Sequence, residues 1–280
     1  MNKLFLTQLM ILSAALLGSI SAHAVEYQSP RTLALGGAGR GGPFLNDSIY
    51  LNPSYSSFSQ TYSVNAGYTW FENLRNYNAS VQDARTEMLQ AGVGFTKREQ
   101  NSAVNLGASR MVVKRLGFGL GSKVLLDNDT QKMTSDFIFS TSFIALPWLY
   151  AAFIVDNLIQ ANEAQARGLY RTFFFGFKFI PTKEVMFFLD PLYSPSYSAG
   201  PKAGFSAGVE LALLSDFYFR VGKFVDAEVS YLNTRGNGYG FGLGWIGPRI
   251  NFDYALHRVT SNHLGSAQST AHALSTTLFF

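Results

Sequence analysis

The sequence predicts an all-β protein: a transmembrane antiparallel β-barrel of about fourteen strands (12–14) with an N-terminal segment lodged in its lumen. Three observations predict it. From about residue 60 onward apolar and polar residues alternate with period two, the period of side chains on a strand. The chain is 47% apolar and 15% aromatic but only 14% charged, with a mean hydropathy of +0.07. A soluble domain carries about 25% charge, whereas the lipid-facing and lumen-facing residues of a barrel cancel in any average. Finally, the chain opens with a leader of the secretory kind and closes on Leu278-Phe279-Phe280.

The leader comes first. Met1-Asn2-Lys3 is a short basic region, Leu4 to Ile20 is apolar, and Ala22-His23-Ala24 fits a small-residue cleavage site. A cleaved signal peptide over 1–24 is expected, with Val25 opening the mature chain and export towards the bacterial outer membrane. Residues 25–59 do not alternate and are rich in glycine. Such a segment has no place in lipid, where its backbone groups would go unpaired. It is expected inside the barrel as a plug, with the barrel itself over 60–280.

Alternation is plain at Tyr62/Val64/Ala66/Tyr68/Trp70, at Leu89/Ala91/Val93/Phe95 and at Leu116/Phe118/Leu120. Residues 137–155 are long enough for a membrane helix. There Phe137, Phe139, Thr141 and Phe143 alternate with Ile138, Ser140 and Ser142, and Pro147-Trp148 breaks the run, so two strands and a turn are expected. The pattern continues through Phe173/Phe175/Phe177/Phe179, Phe205/Ala207/Val209/Leu211 and Phe217/Phe219/Val221. Near the end Gly238, Gly240, Gly242 and Gly244 alternate with Tyr239, Phe241, Leu243 and Trp245, and Ile250 to Leu256 repeats the rhythm. Weaker candidates near Tyr77, Val104, Phe153 and Phe187 complete the count. A soluble sandwich would carry charge on its outer face; here the non-apolar face is mostly Gly, Ser, Thr and Asn. Pro191 and Pro195 read as a hairpin loop, with an interrupted strand as the alternative, because proline donates nothing to a ladder.

Several function classes find no support. There is no cysteine, and the basic residues behind the net charge of +4 are scattered singly, so nucleic-acid binding is not expected. Gly37-x-Gly39-x-x-Gly42 spells a dinucleotide fingerprint without the strand and helix that give it meaning. His257, His263 and His272 belong to no catalytic or metal-binding spacing. No enzyme activity, cofactor or metal is expected. Lumenal charges are expected at Lys123, Lys178, Glu210, Arg220, Arg249 and Asp253. They would either shape a passage or pin the plug.

Arg31-Thr32-Leu33-Ala34-Leu35-Gly36-Gly37-Ala38-Gly39, followed by Asp47 to Ser54 with its Asn52-Pro53, resembles the N-terminal region of the FadL-like superfamily. That superfamily includes fatty-acid and hydrocarbon transporters and the PorV-type secretion proteins. Tyr218 to Gly222 and Asn251 to Ala255 extend the resemblance. It implies a fourteen-stranded barrel plugged by its own N-terminus, with Arg31, Gly36, Gly37, Gly39, Asn52 and Pro53 in the plug. It also implies passive transport of a small hydrophobic or amphipathic solute, leaving sideways through a kinked strand. The alternative is a PorV-like adaptor or scaffold barrel for secretion or envelope proteins. Two departures stand out: Ser54-Tyr55 replaces the usual Ala-Gly, and the chain is shorter, leaving less room for ligand-capturing loops. Leu278 and Phe280, on one face of the last strand, resemble the sorting signal read by the barrel-assembly machinery. Outer-membrane lipids are the remaining expected partner. An apolar pocket in the lumen would favour transport; a sealed lumen with an exposed groove would favour the adaptor.

Overall fold

In a computed structural model of the chain the described residues are 27–280, except 73, 100, 129, 233 and 264–267. The expected signal peptide at 1–24 lies outside them. The strands are β1 (Tyr62–Phe71), β2 (Leu74–Asp83), β3 (Gln90–Lys97), β4 (Asn101–Val113), β5 (Leu116–Asp127), β6 (Met133–Leu146) and β7 (Leu149–Asp156). They continue with β8 (Thr172–Thr182), β9 (Val185–Tyr193), β10 (Ala203–Leu213), β11 (Phe217–Val229), β12 (Thr234–Ile246), β13 (Ile250–Asn262) and β14 (Ser269–Phe279). Each pairs antiparallel with its neighbour in sequence, and β1 closes on β14 from Ser63↔Phe279 to Phe71↔Ala271. The result is a closed fourteen-stranded barrel without a free edge, the form in which sheet can cross lipid.

At the end holding the C-terminus the strands join through turns of two or three residues, apart from residues 84–89. Longer connections, 157–171 with helix α3 (Asn162–Ala166) and 194–202, lie at the other end. Short turns mark the periplasmic end of such barrels and longer loops the extracellular end.

The period-two pattern sorts residues as the chemistry demands. On β12 Gly236, Gly238, Gly240, Gly242 and Gly244 face inward, while Phe241 and Leu243 are exposed to the outside. On β6 Thr134, Asp136, Ser140 and Ser142 are buried inside and Phe137 and Phe143 face out. Pro147 and Trp148 form the β6–β7 turn, as the sequence suggested.

Two expectations need correction. Arg249 is exposed in the turn before β13 and does not face the lumen, because the strand starts only at Ile250 and the hairpin puts Arg249 outside the period. Pro191 lies within β9 and not in a hairpin loop; Pro195 alone falls in the connection that follows. The β8–β9 ladder runs through Phe174↔Leu192 and Phe177↔Leu189, and skips Phe175 and Gly176. Proline offers no N–H to that side, while on its other side Pro191 still pairs with Phe205 of β10.

Candidate functional site

The N-terminal residues occupy the inside of the barrel. Helix α1 (Pro30–Ala34) starts with Ser29 as its cap: the Ser29 hydroxyl accepts from the Thr32 N–H at 3.2 Å, and proline takes the first helical position. Both are standard start signals. The helix stops at two glycines, Gly36 and Gly37, with φ of 67° and 88°, a region that costs other residues dearly. The Leu35–Gly36 backbone lies against Gly222 of β11 so closely that a Cβ on Gly222 would overlap it. Further on come a 3-10 turn (Leu45–Asp47), helix α2 (Ser48–Leu51) and a 3-10 stretch (Pro53–Phe58). The last packs on Gly117 and Gly119 of β5, where absent side chains make room for backbone.

A chain of buried charges holds α1 to the wall. The Arg31 guanidinium donates to both Glu210 oxygens, at 2.7 and 3.2 Å. Arg220 donates to Glu210 at 2.5 Å and to Asp253 at 2.5 Å, and Asn251 closes the row on Asp253. All five side chains are buried. The two cations and two carboxylates balance, the condition under which charge tolerates burial. The Arg31 guanidinium also lies 5.0 Å from the centre of the Phe188 ring.

A second anchor fills the gap in the β8–β9 ladder. The Gly39 and Arg40 amides both donate to one Asp190 oxygen at 2.9 Å. Arg40 lies 3.7 Å over the Phe174 ring and 3.8 Å from Glu228. Gly41 meets Gly176 backbone to backbone: a Cβ on Gly41 would stand 2.5 Å from the Phe177 carbonyl carbon. A third anchor is Asn52, whose amide donates to the Arg40 carbonyl at 2.8 Å and to the Ser142 hydroxyl at 2.9 Å. The Ser54 N–H donates to Ser140 at 2.9 Å, and the Ser54 and Ser142 hydroxyls lie 2.7 Å apart. Pro53 sets the fixed φ between them and packs near Gly107 and Gly121.

Asp47 is the segment's buried carboxyl, accepting from the Ser29 hydroxyl at 2.7 Å. Burial is the main cause that pushes its pKa up to about 7, against the lowering effects of Ser29 and Arg31.

Of the residues singled out from sequence, Arg31, Gly36, Gly37, Gly39, Asn52 and Pro53 all lie in this inner segment. Glu210, Arg220 and Asp253 form one network with Arg31. Lys123 faces inward elsewhere, 2.6 Å from Asp156, and Lys178 packs beside Gly42 near the Tyr150 ring. Leu278 points outward on β14, and the Phe280 ring stands 6.3 Å from that of Tyr62. Sequence reading missed Asp190, Arg40, Asp47 and the serine pair on β6. Asp190 had a signal, since it is polar at an inward parity beside a proline.

One flank of the lumen above α1 is apolar, beside walls that also bury Thr69, Asp156, Thr172 and Arg235. Leu33 and Ala34 pack in one buried cluster with Phe71, Phe224, Tyr231, Val259 and Ala271. His257 is buried there, its Nδ1 2.9 Å from the Tyr231 hydroxyl and its ring stacked on Phe224 at 4.6 Å. One cavity of about 40 Å³ lies beneath the extracellular loops, between Tyr170, Tyr197 and Arg235. Another of about 20 Å³ lies between Tyr27, Tyr50 and Lys123. A benzene-sized guest needs on the order of 150 Å³. Among the described residues no group of His, Asp and Glu is placed to hold a metal.

No protein-family model and no curated protein matches this sequence. Solved structures do match. The CymD monoaromatic hydrocarbon channel is similar with a TM-score of 0.67 at 11% identity, over 90% of this chain and 97% of that one. The Pseudomonas putida toluene transporter TodX is similar with a TM-score of 0.62 at 10% identity, over 92% and 99%. A Pseudomonas aeruginosa FadL homologue gives 0.54 at 9% identity, over 91% and 99%. The first two are a hydrocarbon channel and a toluene transporter. The fold of this chain is therefore that of the FadL-type hydrocarbon transporters of the bacterial outer membrane.

Proposed function

We propose that the chain passes a small apolar solute across the outer membrane without energy input, and that residues 27–59 close the passage in the state described. The observation that carries this reading is the buried apolar cluster inside the barrel, which runs from Phe71 and Tyr231 at the extracellular end down to Leu33 and Ala34. Side chains of that kind on a lumenal wall favour an apolar guest over ions. Passage then requires α1 to move, because the backbone of Leu33 to Gly36 lies directly against the wall at Gly222 and Gly240. The β8–β9 gap at Pro191, stoppered by Gly39 to Gly41, is the sideways exit that fits the kinked-strand route.

The test uses the absence of cysteine. Ser54 and Ser142 hydroxyls 2.7 Å apart place their Cβ atoms about 4 Å apart, within disulfide reach. Ser54→Cys/Ser142→Cys staples the segment to β6. Cells carrying the chain should take up radiolabelled toluene several-fold faster than cells without it. Oxidising the staple should abolish the gain and a reductant should restore it. Equal uptake with and without the chain would sink the transport reading.

A second reading has one observation in its favour. The lumen is filled while hollows of about 640 and 1000 Å³ lie on the outer wall, as an adaptor barrel would require. Co-purification of a stoichiometric envelope protein, with no effect of the chain on toluene uptake, would support it.

A further inference from the structure

The larger outer hollow, of about 1000 Å³, lies across β9 to β13 on the face turned to lipid. Its floor is shallow because Ala207 stands between Leu189 and Lys223 in one cross-strand row. Its lower wall is apolar, from Phe187, Val209 and Val221. Lys223 does not belong in such company. It shares the outward face of β11 with Phe217, Phe219, Val221 and Val225, and is exposed. Lys223 lies six residues beyond Phe217. At about 3.3 Å per residue and a tilt of about 40°, that is about 15 Å up a lipid band about 25 Å tall. The position is in the outer-leaflet half, and the lysine stem reaches towards the headgroups from there.

A bare ammonium inside hydrocarbon is costly. Among the described residues Lys223 has no hydrogen-bond or ion-pair partner. The nearest carboxylate along the strand, Asp226, is engaged by the His263 Nε2 at 2.9 Å. Across the same row, Lys223 pairs with Tyr239 and Tyr239 with Arg258, which is exposed and among the described residues donates to Gln268 at 2.8 Å. Two outward cations thus stand one tyrosine apart, Lys223 lining the hollow and Arg258 at its edge, two residues before the lining Thr260. Asn237 and Thr260 complete the polar upper edge.

We propose that this hollow is a binding site for a phosphorylated glycolipid of the outer leaflet, lipid A. Its acyl chains lie in the trough, and its phosphates are held by Lys223 and Arg258. Two cations in one row complement a headgroup with two phosphates, which bisphosphoryl lipid A carries and a phospholipid with a single phosphate does not. A zwitterionic lipid brings its own cation to the headgroup, and a free phosphate has nothing for the apolar wall.

The test is native mass spectrometry of the full barrel released from detergent with bisphosphoryl lipid A, with phosphatidylglycerol and phosphatidylcholine as parallel probes. Wild type should retain one lipid A per chain. Lys223→Leu should weaken retention at least tenfold, Lys223→Arg should keep it, and Lys223→Leu/Arg258→Gln should abolish it. The heat-dependent gel mobility of each folded barrel should stay unchanged. Inorganic phosphate at millimolar concentration should not displace the lipid. Equal retention by Lys223→Leu would overturn the proposal, as would retention of phosphatidylglycerol or phosphatidylcholine as strong as that of lipid A. A dimer that Lys223→Leu dissolves would also overturn it, in favour of contact between two copies of the chain.

Discussion

Replacing Arg31 by methionine tests how the inner segment is held. The substitution keeps volume and helix propensity but removes the donors at 2.7 and 3.2 Å from Glu210. Glu210 retains Arg220 at 2.5 Å, so the site does not empty. The row Arg31, Glu210, Arg220, Asp253, balanced before, then carries one uncompensated negative charge inside the wall. Breaking a buried pair from one side costs about 3–5 kcal/mol, and the remaining arginine puts this case near the lower figure. About 3 kcal/mol is a hundredfold shift towards release of the segment. Because Arg31 holds the segment and not the strands, the barrel should stay folded. Hydrogen exchange of the amides of residues 30–42 reads the shift directly, and single-channel recording reads its consequence as frequent openings. Arg31→Met/Glu210→Met removes both charges and leaves Arg220 with Asp253, so most of the lost protection should return. If Arg31→Met exchanges no faster than wild type, or if the double variant is worse than the single one, the network does not hold the segment and the reasoning fails.

Three further outcomes are expected. Asp47 has a docked-state pKa raised to about 7 from its ordinary 3.8, so its contribution to docking is fully present below about pH 4 and is lost as pH rises through 7, a span of about 4 kcal/mol at most. Exchange protection of α1 should therefore fall between about pH 4 and 7 in wild type, level off above that, and stay flat in Asp47→Asn. Gly41→Ala puts a Cβ 2.5 Å from backbone at Phe177; overpacking of this kind costs about 1–3 kcal/mol, so limited proteolysis should cut residues 27–59 sooner while the barrel resists. Asp190→Ala removes the acceptor of two amides and should release the Gly39–Gly41 stopper, read as faster toluene uptake than wild type.

Much of the fold was legible because one rule, period two, governs every strand. That rule set Phe137 and Phe139 on one face and Ser140 and Ser142 on the other, and the same parity found Glu210, Arg220 and Asp253 on the lumenal face. It failed where a strand meets a turn. Arg249 has the parity of Asp253 but lies before the ladder starts, in the turn that Gly247-Pro248 open, and parity alone does not see that boundary. Pro191 failed for the opposite reason: a residue that normally ends pairing is carried inside β9, because the inner segment supplies donors to Asp190 where the ladder lapses. The site was legible as a segment and not as a set of contacts. Arg31 and Glu210 stand 179 positions apart, and Asn52 and Ser142 stand 90 apart. No local pattern links them.

Those same separations set an order of assembly. The N-terminal residues are synthesised first, yet the groups that fix them sit on β6, β9, β10, β11 and β13, and β1 finds its second neighbour only in β14. Contacts so distant in sequence form late. The opening stretch of the chain must therefore wait, held soluble beside a growing sheet, until the final strand rolls the wall shut around it. Its settling marks the moment the barrel is complete, and a chaperone that guards it before then has a client of about thirty glycine-rich residues.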